Sequence, residues 1–351
     1  MKFAWIFYKT GRLRVAISTA NMVPYDWEFI ENTVFIQDFL PKSPSSTSAS
    51  LMGDDLRQSF VKLFTHLNIS KGLKQLKTSH PAGKLIKLDH TDDFASTMSW
   101  DWSRVKVRLV MSVPGAYKGP REMDEWGLCR LGKVLDEEGW RAGKGEVAKT
   151  EYQGSSLGQY SLDWFDTFYQ ACCGKTAKDL FGRAKHSGWP PMKVLFPTLA
   201  TVDASIAGRA GGGTMFCGKA MNGVTRHLFH DANSKRGGVL MHCKMLIAIF
   251  EPKGQSLNTS LVSYENGKDK AEDRGGGESG IGGWIYVGSH NFSSAAWGTI
   301  NKKSQPPTLS IRNYEMGIVF PLRKLQDATT ICQMELTLMV CSSEECQQGC
   351  R

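Results

Sequence analysis

The sequence predicts an α/β protein of two similar halves, and three observations carry that expectation. Apolar runs of strand length alternate with segments whose apolar residues recur at a 3.6-residue period. A chain of 351 residues has room for two domains. Most telling, an order of elements near the start returns late in the chain. Lys2 precedes an apolar strand, a second strand follows, and Ser18-Thr19-Ala20-Asn21 ends it; Lys244 precedes an apolar strand, and Val287-Gly288-Ser289-His290-Asn291 ends the next. Two such copies related by a pseudo-two-fold would close a lysine and an asparagine from each half on one point.

Taken in order, Phe3 to Tyr8 reads as a buried strand, Lys9-Thr10-Gly11-Arg12 as a turn, and Leu13 to Thr19 as a second strand. Pro24 bars the following loop from a ladder. Pro41 to Ser50 is low in complexity and reads as a surface loop. Asp54-Asp55-Leu56 starts a helix carried by Phe60, Leu63, Phe64 and Leu67. Val105 to Val113 is a buried-type strand, and the boundary between halves is placed after it, giving 1–117 and 118–351. Trp126 to Leu135 is helical, and Glu151-Tyr152-Gln153 runs into the small-residue turn Gly154-Ser155-Ser156-Leu157-Gly158. Val194 to Thr198 is a strand with a stop, and Ala210 to Thr214 a loop. About 252–283 reads as a flexible insertion, and about 327–351 as an atypical tail.

Lys+Arg 43 against Asp+Glu 34 leaves a net charge of +9, which favours an anionic partner. Nine cysteines include no paired CxxC, so a zinc site is not expected and reduced thiols are. No apolar run reaches the roughly 20 residues of a membrane span.

The chemistry concentrates at His242-Cys243-Lys244. Two residues apart on a strand, an imidazole and an ammonium project from one face and can converge on one anion. Asn291 and the small residues after it would add neutral donors. The arrangement suits a phosphate and needs neither metal nor cofactor.

These residues resemble the tyrosyl-DNA phosphodiesterases of the phospholipase D superfamily. The resemblance is carried by Leu13-Arg14-Val15 to Asn21 with Tyr25-Asp26-Trp27, by Gln153 to Gly158, Phe196-Pro197-Thr198, His242-Cys243-Lys244, Gly288 to Gly298 and Ile311 to Gly317, in the family's order over most of the chain. It implies a phospholipase D-like fold, two mixed-sheet halves with helices on both faces and the site between them, the first half being incomplete here. It implies hydrolysis of 3′-phosphotyrosyl and related 3′ adducts on DNA through a phosphohistidine intermediate, in a nuclear, monomeric repair enzyme with no membrane partner.

Residue by residue, His242 matches the general acid and base. Lys244, Asn291 and Lys2 match groups that stabilise charge on phosphoryl oxygens, and Asn21 is the first half's asparagine. Glu315 matches a carboxylate behind the histidines, expected to orient His242 or its partner imidazole. Asn32 stands where the family commonly has a glutamine. Ser155, Ser156 and the backbone at Ala295 match DNA-phosphate contacts. The superfamily's HxKxxxxD aspartate falls at Ile249, which makes a lipid-directed phospholipase the weaker match. His290, where the family has small residues, is read as a bystander.

One departure concerns the nucleophile. If Lys2 is the first motif's lysine, the histidine two residues earlier would be residue zero, outside this sequence. The alternative expectation is therefore a catalytically inactive DNA-binding remnant or a truncated gene product.

Overall fold

The computed structural model describes residues 1–43, 50–79, 100–181, 188–218, 225–232, 234, 236–253 and 280–323. Most of the predicted loop Pro41–Ser50, nearly all of the insertion about 252–283 and the tail about 327–351 lie outside these residues.

Residues Phe3–Phe7, Leu13–Ser18 and Val34–Phe39 form a three-stranded antiparallel sheet with Leu13–Ser18 at its centre. Alternation sets its inner face: Leu13, Val15 and Ile17 are buried while Arg14 points out to pair with Asp38 at 2.7 Å. The first strand is an edge and only half-buried. Its apolar residues are used on one side, where Trp5 meets Phe60 and Phe64 of the covering helix edge-on, at 5.1 and 4.8 Å. That helix, Leu51–His66, begins three residues earlier than Asp54 because the Ser50 hydroxyl caps it, accepting from Gly53 N–H.

The larger unit is a seven-stranded mixed sheet. Its order is Arg108–Ser112, Glu315–Arg323, Ile281–Gly288, Lys244–Pro252, Glu146–Gln153, Met192–Leu195, Phe229–His230. The first five strands are antiparallel neighbours and the last two join in parallel. Arg108–Ser112 is buried throughout, as its apolar run requires, and it pairs with Glu315–Arg323. The sheet division therefore falls before this strand, whereas the 117/118 boundary falls after it. Helices Gly127–Glu137 and Leu162–Cys172 pack together against the sheet, burying Leu128, Leu131, Leu135, Phe165 and Phe168. Ala210–Thr214, expected as a loop, is instead the end of the helical turn Gly208–Gly211 and the 3-10 turn Gly212–Thr214.

Of the contacts between the units, two stand out. Asp55 of the covering helix pairs with Arg108 at 3.0 Å and Arg130 at 2.6 Å. Arg108 is also held by Glu137 and, at 3.0 Å, by Glu138, so a buried guanidinium is balanced from three sides. The second connection is short and decisive: Ile30–Glu31 pairs in parallel with Leu240–Met241.

Candidate active site

The Ile30–Glu31 pairing delivers His242 to the first unit, because His242 N–H donates to Glu31 carbonyl at 2.7 Å. His242 and Cys243 lie between two strands, and Lys244 is the first residue of Lys244–Pro252. The two functional side chains thus flank a break in the strand and do not ride one regular face of it. Cys243 turns away, its Sγ 3.3 Å from both Thr33 Oγ1 and Glu31 carbonyl.

His242 is 7% exposed, and its Nδ1 lies 3.0 Å from Asp26 Oδ2, out of line for a well-formed hydrogen bond. Asp26 is buried at 1% on the short helix Pro24–Glu28, and its Oδ2 also accepts Asn21 N–H at 2.6 Å. The carboxylate facing His242 is therefore Asp26. Glu315, expected behind His242 or its partner imidazole, pairs with groups other than His242 and lies beside Met1 and Lys2. It accepts Ser289 Oγ at 2.5 Å and Asn313 Nδ2 at 3.3 Å, and lies 3.6 Å from the Met1 amino group. Asp26 carried a sequence signal, a carboxylate five residues after Asn21 in Pro24-Tyr25-Asp26-Trp27, but its direction depends on the strand pairing.

Lys244 is fully buried, and its Nζ donates to His242 carbonyl at 2.6 Å. Burial, and then the field of Lys2, push its pKa well below the usual lysine range. Lys2 is lowered too, by desolvation against the pull of Glu315 and Asp26. His242 falls to about 4: burial is the main cause, Lys244 and Lys2 add to it, and Asp26 opposes. These couplings bring Lys2, His242, Lys244, Asp26 and Glu315 into one field. Neutral imidazole is the resting form, while cations crowd a buried space with no anion among them but the two carboxylates.

The sign of the pH effect follows. A histidine whose folded pKa lies below its unfolded value of 6.5 is protonated first in the unfolded chain, so stability falls as pH drops from about 6.5 towards 4. Urea titrations of His242→Asn between these limits are expected to show a shallower decline. An unchanged slope would place the titrating group elsewhere.

Asn291 faces the Gly154–Gly158 turn: its Oδ1 accepts Ser156 N–H at 3.2 Å and Ser155 Oγ at 3.5 Å. Ser155 is buried and Ser156 half-buried. Ala295 lies in the turn Ser294–Trp297, its carbonyl accepting Arg312 and Asn313 N–H at 3.1 and 3.0 Å. Asn21 is half-buried beside Asp26, with its carbonyl accepting Trp27 Nε1. Asn32 is brought near but turned inward. Its Oδ1 accepts Thr19 Oγ1 and its Nδ2 donates to Asp26 carbonyl at 2.6 Å, so it braces the aspartate's backbone and its amide does not reach His242.

His290 belongs to the buried core and makes its contacts there. Fully buried, it joins Ser112 Oγ at 2.9 Å through Nε2 and the Tyr286 hydroxyl through Nδ1, and stacks on Trp297 at 4.2 Å. Its carbonyl accepts the Tyr152 hydroxyl at 2.6 Å. Both ring nitrogens and the carbonyl of the residue before Asn291 are thereby used. His290→Ala would strand two hydroxyls around a cavity, at a cost of about 2–5 kcal/mol in urea unfolding. A loss below 0.5 kcal/mol would show the network to be slack.

The arrangement is one neutral imidazole on a carboxylate, two depressed lysines, and an asparagine held by a Gly/Ser turn. The profile of the family described as tyrosyl-DNA phosphodiesterase matches residues 1–348. The chain belongs to this family. It is 26% identical over 329 residues to Tyrosyl-DNA phosphodiesterase 1 of Drosophila melanogaster, covering 91% of this chain and 49% of that protein. Against Tyrosyl-DNA phosphodiesterase 1 of Arabidopsis thaliana it is 24% identical over 328 residues, covering 91% and 46%. The chain spans about half the length of these relatives. The crystal structure of the yeast tyrosyl-DNA phosphodiesterase superposes with a TM-score of 0.55 at 15% identity, over 92% of this chain and 67% of that one. The fold is thus the phospholipase D-like fold that the sequence predicted. Among the described residues no helix is long and apolar enough to cross a membrane.

Proposed function

We propose that the chain acts on the 3′ ends of DNA in repair, as a phosphodiesterase that cleaves 3′-phosphotyrosyl and related linkages, working as a monomer in the nucleus. The observation that carries the reading is His242, buried and neutral, 3.0 Å from Asp26 and within the field of Lys2 and Lys244. A phosphodiester anion entering this space supplies the negative charge that the two lysines lack. It also offsets the repulsion from Lys244 and Lys2 that adds to burial in keeping His242 neutral. Binding therefore favours imidazolium, the form that donates a proton to a departing phenolate, and the neutral form can afterwards take a proton from water. Asn291, Lys2 and Lys244 would hold the non-bridging oxygens. Ser155, Ser156 and the backbone at Ala295 would hold the neighbouring DNA phosphate.

A phosphohistidine route needs a second imidazole in line with His242. The alternative reading is a DNA-binding chain that keeps the pocket without turnover. A 3′-phosphotyrosyl oligonucleotide separates the two. Release of tyrosine, or a covalent adduct trapped at acid pH, that is lost in His242→Ala supports the enzyme. Tight binding without product, unchanged by the substitution, supports the binding chain.

A further inference from the structure

We propose that Phe216 is the stacking platform for the nucleobase next to the bound phosphate; the proposal rests on the DNA reading above and assigns it a new contact. Phe216 is 63% exposed in a fold that buries Phe39, Phe60, Phe165, Phe168 and Phe292 almost completely. Its neighbours Met215 and Cys217 pack against the core, so the chain's alternation turns Phe216 outward.

The backbone fixes it there. Phe216 N–H donates to Ser155 carbonyl at 2.9 Å, and Leu157 N–H donates to Phe216 carbonyl at 2.8 Å, a parallel bridge that pairs Phe216 with Ser156. Paired residues on parallel strands project to the same face, about 4.8 Å apart. The ring therefore stands beside Ser156, whose own N–H is tied to Asn291 Oδ1 at 3.2 Å. Backbone pairing and this hydrogen bond thus link Asn291, Ser156 and Phe216 in one line. Gly218, at φ +50°, lies under one ring edge, where a Cβ would come within 3.2 Å of Cε1 and Cζ. Among the described residues Phe216 joins none of the ring–ring contacts that occupy the other aromatics around Phe292.

A lone exposed phenylalanine is common and means nothing by itself. Here it is bridged to the turn that the DNA reading assigns to a phosphate, in a chain of net charge +9. A base is tethered one sugar away from its phosphate, and any base has a face to stack, so the contact is tolerant of sequence.

The test uses the full chain and needs no turnover: equilibrium binding of a single-stranded oligonucleotide with a 3′-phosphate and 2-aminopurine as its terminal base. The native chain is expected to quench the probe. Phe216→Ala should leave it bright and bind about 5- to 150-fold more weakly, with the melting temperature unchanged because the ring is exposed. Phe216→Trp should restore both, and Phe216→Leu should not restore the quench. Removing the terminal base should cost the native chain the same factor and Phe216→Ala nothing more. Equal affinity and quench in Phe216→Ala, or independent losses from the two changes, would overturn the stacking contact while salt-dependent binding kept the DNA reading intact. If the native chain bound no oligonucleotide, the DNA reading would fall and take the platform with it.

Discussion

Lys244→Met is expected to raise the melting temperature of the chain while weakening its hold on a 3′-phosphorylated oligonucleotide by about 30- to 1,000-fold. Both effects have one cause. The Lys244 ammonium is fully buried, with His242 carbonyl as its hydrogen-bond acceptor and Lys2 as a repelling neighbour. Its pKa is driven down by burial, so at neutral pH either burying the ammonium or releasing its proton costs folding free energy, and a methionine of similar length removes that cost. The sign is checked by pH. A lysine whose folded pKa lies below its unfolded value destabilises the fold most at low pH, so the advantage of Lys244→Met should shrink as pH rises towards 10. The ligand, by contrast, supplies the missing anion and loses a charge-assisted contact when Lys244 is gone. Calorimetric melting of both proteins, beside binding titrations, would decide the matter. A variant that melts lower and binds as before would mean that Lys244 is a structural cation.

Asp26→Asn should lower turnover of a 3′-phosphotyrosyl oligonucleotide by about 10²- to 10⁴-fold, the range of general acid–base assistance, and change binding little. The aspartate lies 3.0 Å from His242 Nδ1, so it favours a proton there and leaves Nε2 as the working nitrogen. Asparagine with its amide oxygen at the Oδ2 position can keep facing both Asn21 N–H and His242 Nδ1, but it carries no charge. Imidazolium thereby loses its counter-charge, which weakens proton donation. The loss should be smaller for a substrate with a better leaving group than tyrosine, because less proton donation is needed. Equal losses for both leaving groups would show that Asp26 acts on something other than proton transfer.

The sequence alone determined what depends on local pattern and residue type. Alternation in Leu13-Arg14-Val15-Ala16-Ile17 identified a half-buried strand, and Phe60, Leu63 and Phe64 identified a helix, because side-chain periodicity is a property of the backbone conformation itself. The identities of His242, Lys244 and Asn291 pointed to an anion, since those groups carry the needed charge and donors wherever they are brought together.

Only the tertiary structure decided who faces whom. The Ser50 cap was hidden in a low-complexity run, where a single hydroxyl has no periodic signal. Arg108–Ser112 pairs with a strand some 200 residues later, a choice that no local pattern encodes. His290 looked incidental beside Asn291, yet its surroundings come from Ser112, Tyr286, Tyr152 and Trp297, four separate places in the chain. Most of all, the two-residue pairing of Ile30–Glu31 with Leu240–Met241 set His242 against Asp26 and left Glu315 with Ser289. Which of two available carboxylates serves an imidazole is a matter of a few ångströms. Distances of that size are set by how sheets pack, and residue type cannot supply them.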